Sequence, residues 1–193
     1  MEGLVLFKII QLIIGVTFAV SISDLRRKKG VTPLINERLT VAMKVCYHVP
    51  VCIYVYILAT LDQLLVSDFI ALVLILLGTL LATKAKIDLG KHHTWTGYRL
   101  ETTKFVTEGV YAFCRHPLYT GIYVCIFGAL LTLIPHAPWF LTTVVLITLV
   151  YIMVLLVLVA RQETTLLAEE FGGEFLEYQG QVHPFLPLRK LKR

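Results

Sequence analysis

The chain is 193 residues long, 57% apolar or aromatic and only 16% charged, with a mean hydropathy of +0.77. A water-soluble domain carries roughly 25% charged residues, so this balance excludes an ordinary soluble enzyme. The length also leaves no room for a multi-domain receptor or a separate soluble Rossmann domain beside membrane helices of about 20 residues each.

Five apolar runs are long enough to cross a hydrocarbon core. The first, 3–21, predicts a membrane helix rather than a signal peptide, because its basic cluster (Arg26, Arg27, Lys28, Lys29) follows the run instead of preceding it. The second, 41–61, contains Pro50, a kink that membrane helices tolerate. The third, 66–83, leads into a segment carrying Lys84, Lys86, Lys91, Arg99, Lys104 and Arg115. The fourth, 118–134, is joined to the fifth, 139–160, by a turn with Pro135 and Pro138, so short that the two spans are expected to form an antiparallel helical hairpin. Arg161 and the tail residues Arg189, Lys190, Lys192 and Arg193 follow.

Segments 62–67 and 135–138 contain no Lys or Arg. Five spans with the N-terminus outside therefore put every basic connection, and the C-terminus, in the cytoplasm. In such a chain the excess of 18 Lys and Arg over 13 Asp and Glu reports topology; no nucleic-acid partner is implied. Cys46, Cys52, Cys114 and Cys125 form no C-x-x-C pair and are read as small buried hydrophobes without a redox role.

The informative polar sequence lies in 84–121 and 161–188. Pro117 suits the first turn of a helix, which puts Arg115 and His116 just ahead of its start and Tyr119 and Gly121 within its first turns. Unsatisfied N–H groups and the dipole there favour a carboxylate or another anion, while tyrosine rings can face a cation. Arg115 and His116 also suit a plain anchor at headgroup level. The density of charged and aromatic residues at this end of a span argues for a wet cavity instead. His92 and His93 are adjacent rather than one helical turn apart, so no metal site is expected.

Val106-Thr-Glu-Gly-Val-Tyr111, Arg115-His-Pro-Leu-Tyr119 with Gly121, Glu163, Leu166, Phe171-Gly172, Glu174-Phe175, Tyr178 and Phe185-Leu-Pro187 together resemble the isoprenylcysteine carboxyl methyltransferase and phospholipid methyltransferase superfamily. The resemblance covers about 84–188 in order and spacing; the first two spans share only its hydropathy. It implies an all-α integral membrane enzyme, here of five transmembrane helices with a cytoplasmic cofactor-binding cap, that uses S-adenosylmethionine and releases S-adenosylhomocysteine. Residues 1–83 would supply three spans, and 84–193 the catalytic region: loop 84–116, spans 118–134 and 139–160, and an amphipathic helix with its tail over 161–193. All belong to one structural domain, as a monomer or a dimer.

Carried over residue by residue, the resemblance assigns cofactor contacts to Phe105, Val106, Tyr111, His116, Pro117, Leu118, Tyr119 and Glu163. Glu163 would meet the cofactor's amino or ribose hydroxyl groups, and Tyr111 or Tyr119 its sulfonium or adenine. Two positions depart from the pattern. Thr103 stands where the family has a histidine, and Val159 stands where the carboxyl methyltransferases have an arginine for the substrate carboxylate. Arg161 and Arg115 are the candidate replacements, although on a continuous helix Arg161 points about 200° away from Glu163.

The acceptor is expected to be a lipophilic small molecule or prenylated substrate reached from the lipid bilayer. Isoprenylcysteine-type carboxyl O-methylation comes first, and phosphatidylethanolamine-type N-methylation or methylation of another lipid is the alternative. An amine or hydroxyl acceptor would need a base, for which Glu101, Glu108 and His116 are candidates. A sterol-type reductase using NADPH and a non-catalytic membrane adaptor are the other readings. Beyond the last span, Leu167, Phe171, Phe175 and Tyr178 form an apolar stripe beside Glu163, Glu170, Glu174 and Glu177. There an interfacial amphipathic segment is expected, interrupted at Gly172-Gly173.

Overall fold

The computed structural model describes residues 2–23, 30–101 and 105–186. The basic cluster 26–29, Thr103, Lys104, Pro187 and the basic tail lie outside the described residues. The described chain is mostly helical: α1 (Glu2–Ile22), α2 (Glu37–Thr60), α3 (Val66–Leu89), α4 (Pro117–His136) and α5 (Trp139–Gln181). All five are long and apolar enough to cross a membrane. Their outward faces carry residues such as Leu6, Ile13, Val55, Leu80, Phe127 and Ile147 in the open, a surface that is stable against lipid but not against water.

The all-α expectation omitted one element. β1 (Val31–Pro33) pairs antiparallel with β2 (Tyr98–Leu100), with Thr32 opposite Arg99. Strands of three residues leave no alternation to read, and their partners are about 70 residues apart, so only the tertiary fold creates them. Their effect is to tie the start of α2 to the loop that follows α3.

Close packing of α3 on α4 dominates the bundle, and small residues make it possible. A Cβ on Gly78 would lie 2.6 Å from both the Gly121 carbonyl oxygen and Cys125 Sγ, and one on Gly128 would lie 2.8 Å from Ile75. Small residues at such crossings let helix backbones approach where lipid offers no hydrophobic driving force. α1 lies on α3 through Phe7, Ile14 and Ser21. Ser21 Oγ is 2.7 Å from Thr83 Oγ1, and Lys86 Nζ donates to the Val20 and Ser23 carbonyls at the end of α1. Two residues, Ala137 and Pro138, join α4 to α5. Leu118, Ile122, Ile126 and Leu133 of α4 share one core with Val145, Leu149, Ile152, Leu156 and Val159 of α5.

α5 has 43 residues, and its unbroken part, 139–171, runs about 50 Å at 1.5 Å per residue, well beyond the hydrocarbon thickness of about 30 Å. The span and the amphipathic segment are therefore one helix through Phe171, and the break falls at Gly172, whose φ of 54° and ψ of −128° are non-helical. The sequence-based expectation of an interruption at Gly172-Gly173 holds, and the amphipathic segment follows the span without a break at Glu163.

The loop ahead of α4 is latched to α3. Asp88 accepts from the Val110 N–H at 2.9 Å and pairs with Lys84. Gly109, at φ 61°, lies so tightly against the Asp88 carboxylate that no side chain fits there. Asp88→Ala should cost about 1–2 kcal/mol through the lost charged bond and lower the thermal midpoint in detergent by several degrees. An unchanged midpoint would show that the latch carries no stability.

Candidate active site

Pro117 occupies the first position of α4 with His116 as the residue before it, the arrangement expected from the sequence. The backbone N–H groups at this end have protein partners. Residues 182–186 run beside 113–116, with Cys114 paired to His183 in a parallel bridge. Arg115 N–H donates to His183 O and His116 N–H to Pro184 O, both at 2.9 Å. Thr120 Oγ1 donates to Phe185 O at 2.9 Å, and the Tyr178 hydroxyl donates to Tyr111 O at 2.6 Å. This strap, drawn from beyond the Gly172 break, packs the end of the chain against the start of α4.

The carboxylate at the α4 N-terminus is the protein's own. The Tyr119 hydroxyl donates to Glu163 Oε1 at 2.6 Å, and His116 Nδ1 lies 3.2 Å from Oε2. The other ring nitrogen, Nε2, is 3.3 Å from Thr164 Oγ1, and the His116 ring stacks on Tyr119 with centroids 5.6 Å apart. Glu163 is thus fixed in direction by α4 while it belongs to α5.

These groups face an open cavity with about 1040 Å³ of empty space. Of the sequence-predicted residues, Phe105, Val106, Tyr111, Arg115, His116, Leu118, Tyr119 and Glu163 line it together. Pro117 is buried in the first turn of α4 outside the lining. Arg161 is exposed on α5 and also outside the lining, as the 200° offset from Glu163 requires. Val159 is 0% exposed, enclosed in the α4–α5 core. Glu101 and Glu108 are exposed and outside the lining, so His116 is the one candidate base among the three that reaches the cavity.

Arg115 is the unusual group. Among the described residues its Nε and Nη1 are buried without a hydrogen-bond partner, and burial lowers the pKa of its guanidinium. A desolvated guanidinium with open donor positions suits an anion. Burial also raises the Cys114 thiol and the Tyr111 hydroxyl, which keeps both neutral.

Further lining residues include some given no role from the sequence and some expected only in the amphipathic segment. Trp95, Tyr98 and Arg99 come from the loop after α3 and from β2, and Leu166, Leu167, Glu170, Phe175 and Tyr178 from α5. Lys44 of α2 steadies this wall, with Nζ 4.3 Å from the Tyr98 ring centroid and 4.9 Å from that of Trp95. The apolar stripe of α5 closes on the loop: the Phe105 centroid lies 5.5 Å from Phe171, 5.3 Å from Phe175 and 5.1 Å from Tyr178. Two aromatics three residues apart in a polar loop were the available signal for Trp95 and Tyr98. Glu170 pairs with Arg99 at 3.6 Å, while Glu169, Glu174 and Glu177 are exposed.

The family model described as phospholipid methyltransferase matches residues 66–174, which takes in α3, the loop, α4 and most of α5. No curated protein matches the chain.

Proposed function

Because the chain belongs to the phospholipid methyltransferase family, whose members are membrane methyltransferases acting on lipid, we propose that it transfers a methyl group from S-adenosylmethionine to a lipophilic acceptor in the cavity between α4, α5 and the loop after α3. The observation that carries this reading is the joint lining by Tyr111, Arg115, His116, Tyr119 and Glu163, with an unpartnered guanidinium at one point and a directed carboxylate at another. The carboxylate suits the cofactor's amino or ribose hydroxyl groups, and the guanidinium suits an anion. The aromatic faces of Trp95, Phe105 and Tyr111 suit a sulfonium or an adenine ring.

When bound, S-adenosylmethionine supplies an electrophilic methyl group on a positively charged sulfur. The protein's residues position and desolvate: Leu34, Leu118 and Leu166 keep water out, and Glu163, held by Tyr119 and His116, orients hydrogen-bond donors. Arg115 holds an anionic group. If that group is the acceptor's carboxylate, it is already ionised at neutral pH and needs no base, which fits isoprenylcysteine-type O-methylation. N-methylation of a phosphatidylethanolamine-type lipid is the second reading. It is favoured by the description of the matched family and by valine at 159, and it would use His116 to take the proton. We read α4 and α5 as a helical hairpin with the cavity on the cytoplasmic side, where the basic segment 84–115 puts it.

Purified protein incubated with radiolabelled S-adenosylmethionine and farnesylcysteine, phosphatidylethanolamine or a lipid phenol or pyrone should place label in one extractable class. No label and no heat of cofactor binding would refute the assignment. Arg115→Ala should raise KM for farnesylcysteine about 100-fold with cofactor affinity unchanged, the cost of losing one partner of a buried charge pair. If cofactor affinity falls instead, Arg115 serves the cofactor and the O-methylation reading loses its support.

A further inference from the structure

At the end of the bundle away from the cavity, four helices turn polar side chains toward one another. α3 brings Asp68 from its first turn, α4 brings Thr132 and His136, α2 brings Tyr54 and α1 brings Gln11. Asp68 and Thr132 are 0% exposed and Gln11 is 1% exposed. Asp68 Oδ2 accepts from the Leu65 N–H at 2.8 Å and lies 2.9 Å from His136 Nε2. Among the described residues its other oxygen and the amide oxygen and nitrogen of Gln11 have no hydrogen-bond partner, and the Tyr54 and Thr132 hydroxyls meet only each other; all are buried.

Tyr54 faces Thr132 with Asp68 nearby. Gln11 lies one turn from Phe7 on one side and Ile14 on the other, and the clusters around both include Tyr54 and Leu72. Leu72 is one turn beyond Asp68. Ala129, packed in the Ile14 cluster, is one turn ahead of Thr132.

Buried polar atoms are almost always paired, and a membrane interior offers no solvent to pair them. Apolar side chains of similar size would hold these helices together without that penalty, so the layer is built to receive a guest. It offers a carboxylate oxygen, two hydroxyl oxygens and an amide oxygen. Small hard cations take oxygen donors of this kind, and divalent ions draw on more carboxylates than the single one present. We propose that Asp68, Thr132, Tyr54 and Gln11 form a binding site for a dehydrated monovalent cation, sodium, that joins α1 to α4 at this end of the bundle.

The test is the thermal midpoint of the purified protein in detergent, with sodium chloride titrated against choline chloride at constant ionic strength. Sodium should raise the midpoint in a saturable way, by about 5 °C or more near hundredfold saturation, and Asp68→Asn and Thr132→Val should each abolish the rise. Thr132→Val keeps the side-chain shape, so the test stands even if Asp68→Asn does not fold. Equal midpoints in the two salts, with Thr132→Val lowering both, would mean that water alone fills the layer and would overturn the proposal. A sodium-dependent rise that survives in Thr132→Val would place the ion elsewhere and overturn it equally.

Discussion

Glu163→Gln is expected to weaken S-adenosylmethionine binding by about 100-fold or more, and Glu163→Ala to abolish it. The carboxylate is held by the Tyr119 hydroxyl at 2.6 Å and lies 3.2 Å from His116 Nδ1, so its direction into the cavity is set before any ligand arrives. Hydrogen bonds to a charged group contribute about 1.5–3 kcal/mol each, and about 2.7 kcal/mol corresponds to 100-fold. The glutamine keeps the volume and can still accept from Tyr119, which isolates the charge. Tyr119→Phe should cost less, roughly tenfold, because Glu163 keeps its charge and its place beside His116. Calorimetric titration with the cofactor checks the series, and an unchanged circular dichroism spectrum excludes unfolding. Wild-type affinity in Glu163→Gln would remove this residue from the cofactor site.

The largest stability effect is expected at the α3–α4 crossing. A Cβ at Gly78 meets the Gly121 carbonyl oxygen at 2.6 Å and the Cys125 nitrogen at 2.8 Å. Both are backbone atoms, so no rotamer change relieves the clash and the helices must separate. Gly78→Ala should therefore cost about 2–4 kcal/mol, a fall in thermal midpoint of roughly 5–15 °C for a chain of this size. Gly121→Ala should behave alike, since its Cβ would lie 2.7 Å from the Gly78 carbonyl oxygen. Activity should fall with stability, because α4 carries His116 and Tyr119 at the end that must shift. Gly15, on α1 with nothing within 4 Å of its Cβ position, is the control: Gly15→Ala should be neutral or slightly stabilising. Equal midpoints for Gly78→Ala and wild type would show that the crossing is looser than its geometry.

Much of the helical fold is legible in the sequence because the bilayer imposes a local rule: a span needs a certain length of apolar chain, whatever it packs against. The runs 3–21, 66–83 and 118–134 lie within α1, α3 and α4. Failures occur where that rule stops. The end of the fifth span could be read as Ala160, yet helical hydrogen bonding costs nothing extra in water and α5 continues to its break at Gly172. The strands are three residues long and pair across the chain, and no local pattern marks them.

The site divides in the same way. Motif spacing nominated Phe105, Tyr111, His116, Tyr119 and Glu163, and the cavity lining brings them together. Between the two candidate arginines only the fold discriminates, with Arg115 lining the cavity and Arg161 exposed on α5. The helix N-terminus could be recognised as a place for a carboxylate, but not that Glu163, 47 positions along from His116, would be there, nor that residues 183 and 184 would accept its free N–H groups.

The sequence by itself determined five stretches long and apolar enough to cross a membrane, with the polar motifs concentrated after the third, since hydrophobic length and the confinement of polar residues act locally along the chain. Only the tertiary structure decided which polar groups meet: Glu163 with Tyr119 and His116, and Asp68 with His136. The energy of a buried charge depends on what the other helices bring within 3 Å of it, and that is a property of packing rather than of any segment.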